Sequence, residues 1–225
     1  MSKRFLRMKK FLLLSNYAPK PGFKYPRTKC PLEHREQAHN RIQAFERFWP
    51  EGVLWRVVRV EETSLLELQQ VINNETWDAI WLSGSPYLLS DSSTQSWIKN
   101  LRIVATNLLK TPTPVFGICF GLQILSVAAG AKVAKTTSFL SGEIDLIGTT
   151  GQKLVKTALY HENYVTNLPE TADILGSSRG IPYLVQLNST TWGIQSHPEL
   201  PLNSAIEQMK AEKFWQEFFV SRVSF

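Results

Sequence analysis

Short apolar runs alternate with segments of helical periodicity along the first 130 residues of the chain. The apolar runs predict buried strands, at 11–14, 53–60, 77–82 and 114–118. Apolar residues that recur every three or four positions predict helices, at 32–48, 65–73, 97–109 and 122–129. This alternation predicts an α/β fold with a doubly wound, mostly parallel sheet flanked by helices.

The last third of the chain continues this pattern. Strand-like runs at 183–187 and 191–194 flank a polar hairpin turn. A final helix is predicted at 204–219, with its apolar side chains packed on the sheet: Ile206, Met209, Phe214, Phe218 and Phe219. The length of 225 residues suits one domain, and we expect residues 1–225 to form it.

The composition is that of an ordinary water-soluble protein, with 43% hydrophobic and 20% charged residues. No apolar run approaches the ~18 residues of a membrane span, so we expect no membrane insertion. The basic start and the apolar run at 11–14 superficially mimic a signal peptide, but that run is too short for one. The two cysteines are too few for a disulfide framework, which favours the reducing cytoplasm.

Positive charge is concentrated near the start of the chain. The net charge is +6, and residues 1–50 hold twelve basic side chains against three acidic ones. A solvated basic face explains this better than a nucleic-acid site, because the motifs of nucleic-acid modules are missing. Cys30, His34 and His39 lack the spacing of a zinc site, and no phosphate loop or dinucleotide fingerprint is present. We therefore expect no metal, no cofactor and no nucleic-acid partner.

The segment Gly117-Ile118-Cys119-Phe120-Gly121 joins the strand at 114–118 to the helix at 122–129. A sharp strand-to-helix turn needs small residues two before and two after its central residue, and both glycines meet that need. Cys119 would then be exposed at the end of a strand, where a helix N-terminus favours its thiolate. The alternative is a small buried hydrophobic residue, which is the usual role of a lone cysteine.

A base and an acid near the end of the chain favour a reactive Cys119 over a buried structural one. The segment Trp192-Gly193-Ile194-Gln195-Ser196-His197-Pro198-Glu199 follows a strand-like run. In an extended segment, residues two apart point the same way, so Glu199 can hold the ring of His197 while His197 faces a thiol. Cys119, His197 and Glu199 therefore form a constellation suited to nucleophilic catalysis.

The two motifs together resemble the class I (triad) glutamine amidotransferase domain, the family of GMP synthase glutaminase domains and their stand-alone relatives. The resemblance covers most of the chain and implies a flavodoxin-like α/β fold. It also implies that Cys119 attacks the side-chain amide of glutamine, with His197 and Glu199 completing a catalytic triad.

The loop Ser83-Gly84-Ser85-Pro86 is similar to the family's oxyanion loop, since a glycine-bearing turn after a strand exposes backbone N–H groups. The resemblance makes the N–H groups of Ser85 and Phe120 the oxyanion donors, with Gly84 permitting the turn. The alternative is an ordinary strand-to-helix loop.

The resemblance also implies substrate contacts. Gln123 matches the position that contacts glutamine, and the stretch with His161 and Asn163 resembles the one that borders the glutamine pocket. The chain departs from the family where Tyr160 replaces serine, Asn163 replaces aspartate and Leu122 replaces histidine. His161 therefore either supports the pocket from behind or is merely structural.

Three functions follow as alternatives. The first is a glutaminase whose ammonia passes to a synthetase or acceptor subunit in trans. The second is a γ-glutamyl peptidase that cleaves glutathione-like compounds with the same triad. The third is a catalytically idle regulatory subunit, which the complete triad argues against.

Overall fold

The computed structural model describes residues 8–17, 45–49 and 52–223, and one mixed sheet runs through them. Its strands are β1 Lys9–Ser15, β2 Val53–Arg59, β3 Ala79–Leu82, β4 Val115–Ile118, β5 Lys132–Gly148, β6 Lys153–Thr166, β7 Asp173–Ser178, β8 Ile181–Asn188 and β9 Thr191–Ile194. The α-helices in these residues are α1 Leu65–Asn74, α2 Ser96–Leu108, α3 Phe120–Ala128 and α4 Ala205–Val220.

The strands follow the order β2-β1-β3-β4-β9-β8-β7-β5-β6. The pairings from β2 through to β9 are all parallel. Successive residues of β1 belong to different cores: Phe11 and Leu13 pack on one face of the sheet, and Leu12 and Leu14 on the other. Helices cover both faces, because α2 and α3 pack in one core and α4 in the other. The α/β, doubly wound prediction is therefore confirmed.

The other half of the sheet is antiparallel, which makes the whole sheet mixed. The pairings from β9 through β8, β7 and β5 to β6 are all antiparallel. The longest of them is the ribbon of β5 and β6, whose register shifts between Lys135 and Leu140. A bridge between Ala158 and His197 brings this ribbon against the segment that follows β9.

The predicted inner face of the last helix is wrong at two residues. Ile206 and Met209 are 64% and 67% exposed, and the residues of α4 that are buried are Ala211, Trp215, Phe218 and Phe219. Those four follow the i, i+4, i+7, i+8 spacing of one helix face, from which Ile206 and Met209 are turned away.

Some predictions fall on residues that the structure does not describe. Cys30, His34, His39 and all but the last four residues of the helix predicted at 32–48 lie outside the described residues. The single-domain expectation for residues 1–225 stays a prediction. Within the described part, the helices are too short or too polar to cross a membrane.

The parallel strands all present their carboxyl ends at one edge of the sheet, where open α/β folds bind ligands. The segments that leave this edge carry the candidate site. Tyr17 follows β1, the loop with Gly84 follows β3, Cys119 follows β4, and the segment with His197 follows β9.

Candidate active site

Cys119 occupies the sharp turn between β4 and α3. Its backbone dihedral angles are φ 49° and ψ −101°, which correspond to the first central residue of a type II′ turn. Glycine is the usual residue there, because a Cβ atom is crowded at positive φ. Holding a residue with a side chain in such a conformation costs about 1–3 kcal/mol, and strain of this kind clusters at functional sites.

Gly117 and Gly121 make this turn possible. A Cβ atom on Gly117 would lie 2.5 Å from the carbonyl carbon of Gly121, and one on Gly121 would collide with the carbonyl oxygen of Leu82. These obstacles belong to the backbone, so they cannot move aside as the end of a flexible side chain can. The turn therefore excludes a side chain at both positions.

Two hydrogen bonds hold the backbone of Cys119. Its N–H donates to the carbonyl of Ile194 at the end of β9, over 2.6 Å, and its carbonyl accepts from the N–H of Gln123, over 3.0 Å. The N–H of Phe120 comes before that first bond of α3, where N–H groups have no partner within the helix. The positive end of the helix thus faces the Cys119 side of the turn, where it stabilises negative charge.

His197, the predicted general base, lies in a β-turn that follows β9. The N–H of Leu200 donates to the carbonyl of His197 over 3.1 Å, with Pro198 at the first central position, which favours proline. The extended segment expected from the sequence is therefore a turn. It still folds Glu199 back onto the ring, and Nδ1 of His197 lies 2.8 Å from Oε1 of Glu199. A carboxylate oxygen accepts, so Nδ1 carries a proton and Nε2 faces away from Glu199.

Gly84 shows that Cys119 and His197 share one small space. A Cβ atom on Gly84 would lie 3.2 Å from Cε1 of His197 and 3.7 Å from Cβ of Cys119. The same atom would lie 3.1 Å from the hydroxyl of Tyr17. Cys119, His197 and Glu199 are each no more than 6% exposed, so all three side chains are buried.

Charges inside this space control the protonation of His197. Burial lowers the pKa of His197, but the negative charges of Glu199 and Cys119 outweigh that effect and raise it to about 10. The ring of His197 is therefore protonated at neutral pH. A hydrogen bond with Cys119 also contributes to the raised pKa of His197, and Nε2 is the ring nitrogen turned away from Glu199.

His161 interacts with His197 but, unlike His197, is neutral. Its Nδ1 is 3.0 Å from the carbonyl of Asn163, and its Nε2 is 3.1 Å from the hydroxyl of Tyr183. Burial lowers the pKa of His161 to about 4, and the positive charge of His197 acts in the same direction. Because a carbonyl only accepts, the neutral ring donates from Nδ1 and accepts the Tyr183 proton at Nε2.

Gln123 connects the backbone of Asn163 to Gln195, which contacts Cys119. Its Nε2 donates to the carbonyl of Asn163 over 2.9 Å and is 3.4 Å from Oε1 of Gln195. Nε2 of Gln195 lies 3.5 Å from Sγ of Cys119. One chain of hydrogen bonds therefore links the residues predicted to contact substrate to the thiol, with Gln123 two bonds away, Asn163 three and His161 four. Oδ1 of Asn163 is buried with no hydrogen-bond partner in the described residues.

The predicted oxyanion loop lies where the turn at Gly84 meets Cys119. The hydroxyl of Ser85 accepts from the N–H of Tyr87 over 3.1 Å, and the hydroxyl of Ser83 donates to the carbonyl of Gly84 over 3.0 Å. Side chains therefore stabilise the loop itself. The roles of the N–H groups of Ser85 and Phe120 stay a prediction.

Sequence reasoning missed Arg47, which supports the base from behind. Its Nη2 donates to the carbonyl of Pro198 over 3.0 Å, and its Nη1 lies 3.4 Å from Oε1 of Glu212 in α4. Burial lowers the pKa of Arg47, and the charges of Glu212 and Glu199 oppose that shift. Arg47 thus connects the turn between His197 and Glu199 to α4. No sequence motif marks it.

Across residues 8–17, 45–49 and 52–223, no group of three or more His, Cys, Asp or Glu side chains is arranged to hold a metal ion.

The family model described as glutamine amidotransferase class I matches residues 39–216, which is most of the chain. The chain belongs to the class I glutamine amidotransferases. Membership confirms the resemblance seen in the two sequence motifs and implies the amidohydrolase chemistry of that family.

Two relatives of this amidotransferase have names that point to different substrates. A glutamine-hydrolysing GMP synthase of Porphyromonas gingivalis is 32% identical over 132 residues, covering 54% of this chain and 24% of that protein. A γ-glutamyl-L-1-hydroxyisopropylamide hydrolase of a Pseudomonas species is 32% identical over 124 residues, covering 45% of this chain and 41% of that protein. Each match spans less than half the length of the relative.

Solved structures show the same fold over nearly the whole chain. A glutamine amidotransferase from Methylobacillus flagellatus superimposes with a TM-score of 0.67 at 13% identity. The superposition covers 97% of this chain and 96% of that one.

Proposed function

We propose that this amidotransferase hydrolyses the side-chain amide of glutamine through a γ-glutamyl thioester on Cys119. The observation that carries the proposal is the convergence beside Gly84 of a strained cysteine and a carboxylate-bound histidine. Nucleophile, base and orienting acid are the three parts that such chemistry needs.

In the first half of the reaction, the Cys119 thiolate attacks the amide carbon of glutamine. The oxyanion that forms is held by the N–H groups of Ser85 and Phe120. His197 then gives its Nε2 proton to the leaving nitrogen, and ammonia departs as the carbon–nitrogen bond breaks. The thiolate charge raises the pKa of His197, so forming the carbon–sulfur bond removes that influence and makes His197 a stronger acid before the carbon–nitrogen bond breaks.

In the second half, water hydrolyses the thioester. Neutral His197 accepts a proton from water, the new carbon–oxygen bond forms, and the carbon–sulfur bond breaks to give glutamate and the thiolate. Glu199 keeps the ring oriented in both halves, because its hydrogen bond to Nδ1 fixes which nitrogen faces the substrate.

Substrate selection involves Gln123, His161 and Asn163. The buried Oδ1 of Asn163 has no partner in the described residues, and a buried acceptor of this kind fits the amino group of a γ-glutamyl substrate. His161 is held neutral and donates to the carbonyl of Asn163, so its role is to fix that segment rather than to carry charge.

The ammonia is expected to pass to a synthetase partner in trans. The relative named GMP synthase is glutamine-hydrolysing, and the part that matches this chain is 24% of its length. The acceptor chemistry of this chain would then lie on another polypeptide.

A second candidate keeps the triad but changes the substrate to a substituted γ-glutamyl amide. The relative named γ-glutamyl-L-1-hydroxyisopropylamide hydrolase supports it. Glutathione-like compounds belong to the same class, because they too carry a γ-glutamyl group on a secondary amide.

The test measures glutamate release by the purified protein from glutamine, from γ-glutamyl-L-1-hydroxyisopropylamide and from glutathione, with ammonia measured for glutamine. Cys119→Ala serves as the blank, and Cys30→Ala is the matched control that changes the other cysteine. Faster turnover of glutamine supports the glutaminase, and faster turnover of the substituted amides supports the second candidate. If no substrate turns over and no γ-glutamyl adduct forms on Cys119, both are wrong and the idle subunit remains.

A further inference from the structure

Gln195 contacts the nucleophile, although neither the triad nor the oxyanion loop includes it. The residue is fully buried, and its backbone N–H donates to the carbonyl of Tyr183 over 2.8 Å, which fixes its Cα beside β8. From there the side-chain Nε2 reaches to 3.5 Å from Sγ of Cys119, an ordinary separation for an N–H to sulfur hydrogen bond.

The hydrogen bonds behind Gln195 determine which end of its amide faces sulfur. The carbonyl of Asn163 can only accept, so the group of Gln123 that meets it is the NH2. The second hydrogen of that NH2 points towards Gln195, whose Oε1 accepts over 3.4 Å. The NH2 of Gln195 is therefore the end that meets Cys119. If either amide were reversed, two donors or two acceptors would face each other.

A donor at this place has a definite effect on the reaction. A hydrogen bond to an ionised acceptor is about twice as strong as one between neutral groups, so the amide favours the thiolate over the thiol. It also limits the directions in which Sγ can lie, which adds to the constraint of the strained backbone.

We propose that Gln195 is a further catalytic residue of this amidotransferase, donating a side-chain hydrogen bond to Sγ of Cys119. The donor acts twice. It orients and stabilises the thiolate before attack, and it stabilises the same sulfur as a leaving group when water hydrolyses the thioester. In that second step the carbon–sulfur bond breaks, and its electron pair returns to Sγ while the donor is already in place. This leaving-group role rests on the proposed function, whereas the hydrogen bond to the free thiolate does not.

The test uses the rate at which iodoacetamide alkylates Cys119 at pH 7, measured by peptide mass spectrometry so that Cys30 is counted separately. No substrate is needed, so this readout is independent of which amide the protein hydrolyses. The main variant is Gln195→Met, which keeps the length of the side chain and removes the donor. The matched control is Gln186→Met, the same change at a half-buried position on β8.

We expect Gln195→Met to slow alkylation of Cys119 about tenfold, the lower end of the range for a hydrogen bond to a charged group. Gln186→Met should alkylate at the wild-type rate. Gln195→Glu keeps an acceptor for Gln123 and sets a carboxylate against the sulfur, so it should be slower than Gln195→Met. If Gln195→Met does not fold, Gln195→Glu tests the proposed hydrogen bond in its place.

Alkylation at the wild-type rate in a folded Gln195 variant would overturn the proposal. Slowed alkylation in a protein whose wild type hydrolyses no γ-glutamyl compound would support the hydrogen bond and refute the proposed function instead. Where the wild type is active, turnover by Gln195→Met should fall, because both the attack by the thiolate and the departure of the sulfur lose the donor.

Discussion

The space beside Gly84 offers the sharpest test of the proposed site, through the change Gly84→Ala. The added methyl would lie 3.2 Å from Cε1 of His197, about 0.3 Å inside the ~3.5 Å of an ordinary carbon contact. It would also lie 3.1 Å from the hydroxyl of Tyr17. Both obstacles are side-chain atoms that can shift, so the chain should fold with His197 displaced by a few tenths of an ångström.

The expected loss follows from the geometry of catalysis. A displacement of 1 Å in an active site can cost about a hundredfold in rate. A few tenths of an ångström at the base should therefore reduce kcat about tenfold, which is about 1.4 kcal/mol in the barrier. Stability should change little, because the entropy that alanine removes from the unfolded chain offsets the crowding.

The assay compares kcat, KM and thermal unfolding of wild type, Gly84→Ala and Gly52→Ala. Gly52 is the matched control, since the contact that a Cβ atom there would make is 3.7 Å from Met8, which is ordinary packing. We expect Gly52→Ala to retain wild-type kcat. A folded Gly84→Ala with full kcat would refute the reasoning that this space sets the position of the base.

Three further predictions concern the surroundings of the triad. His161 has a pKa of about 4 when folded and 6.5 when unfolded, so the unfolded chain binds more protons in between and stability should fall as pH drops from 6.5 to 4. The free energy of unfolding should fall by about 3 kcal/mol over this range. Urea unfolding at pH 7, 5.5 and 4 should show this fall in the wild type and a smaller one in His161→Gln. Arg47→Met should lower kcat several-fold and lower the melting temperature, because the carbonyl of Pro198 loses its donor; an unchanged kcat would contradict that role. Gly121→Ala should yield no stable folded protein in expression and unfolding tests, because its methyl meets the backbone of Leu82.

The parallel half of the fold could be predicted from sequence, whereas the β5–β6 ribbon could not. The strand of residues 11–14 is apolar on both faces, as expected for a strand covered by helices on both sides. In β5, the buried positions alternate over the last few residues alone, and the rest of the strand is half-buried or exposed. Pairing of β5 depends on its partner β6 and not on a local pattern, so the sequence of β5 has no periodicity that predicts this pairing.

The same difference separates the predicted and the missed residues of the site. Cys119 was predictable because glycines on either side record the turn that it needs. Gln195 and Arg47 were missed because their roles depend on partners 76 and 151 residues away in the chain. The error in the predicted buried face of α4 has a related cause. Ile206 and Met209 are apolar, but tertiary contacts bury a different face of the helix.

The strained backbone of Cys119 has a consequence for the stability of the protein. Glycine would occupy φ 49° without penalty, so replacing the cysteine would return about 1–3 kcal/mol of stability to the protein. The protein therefore keeps a side chain at this position at a cost in stability, and Cys119→Gly should have a larger free energy of unfolding than the wild type.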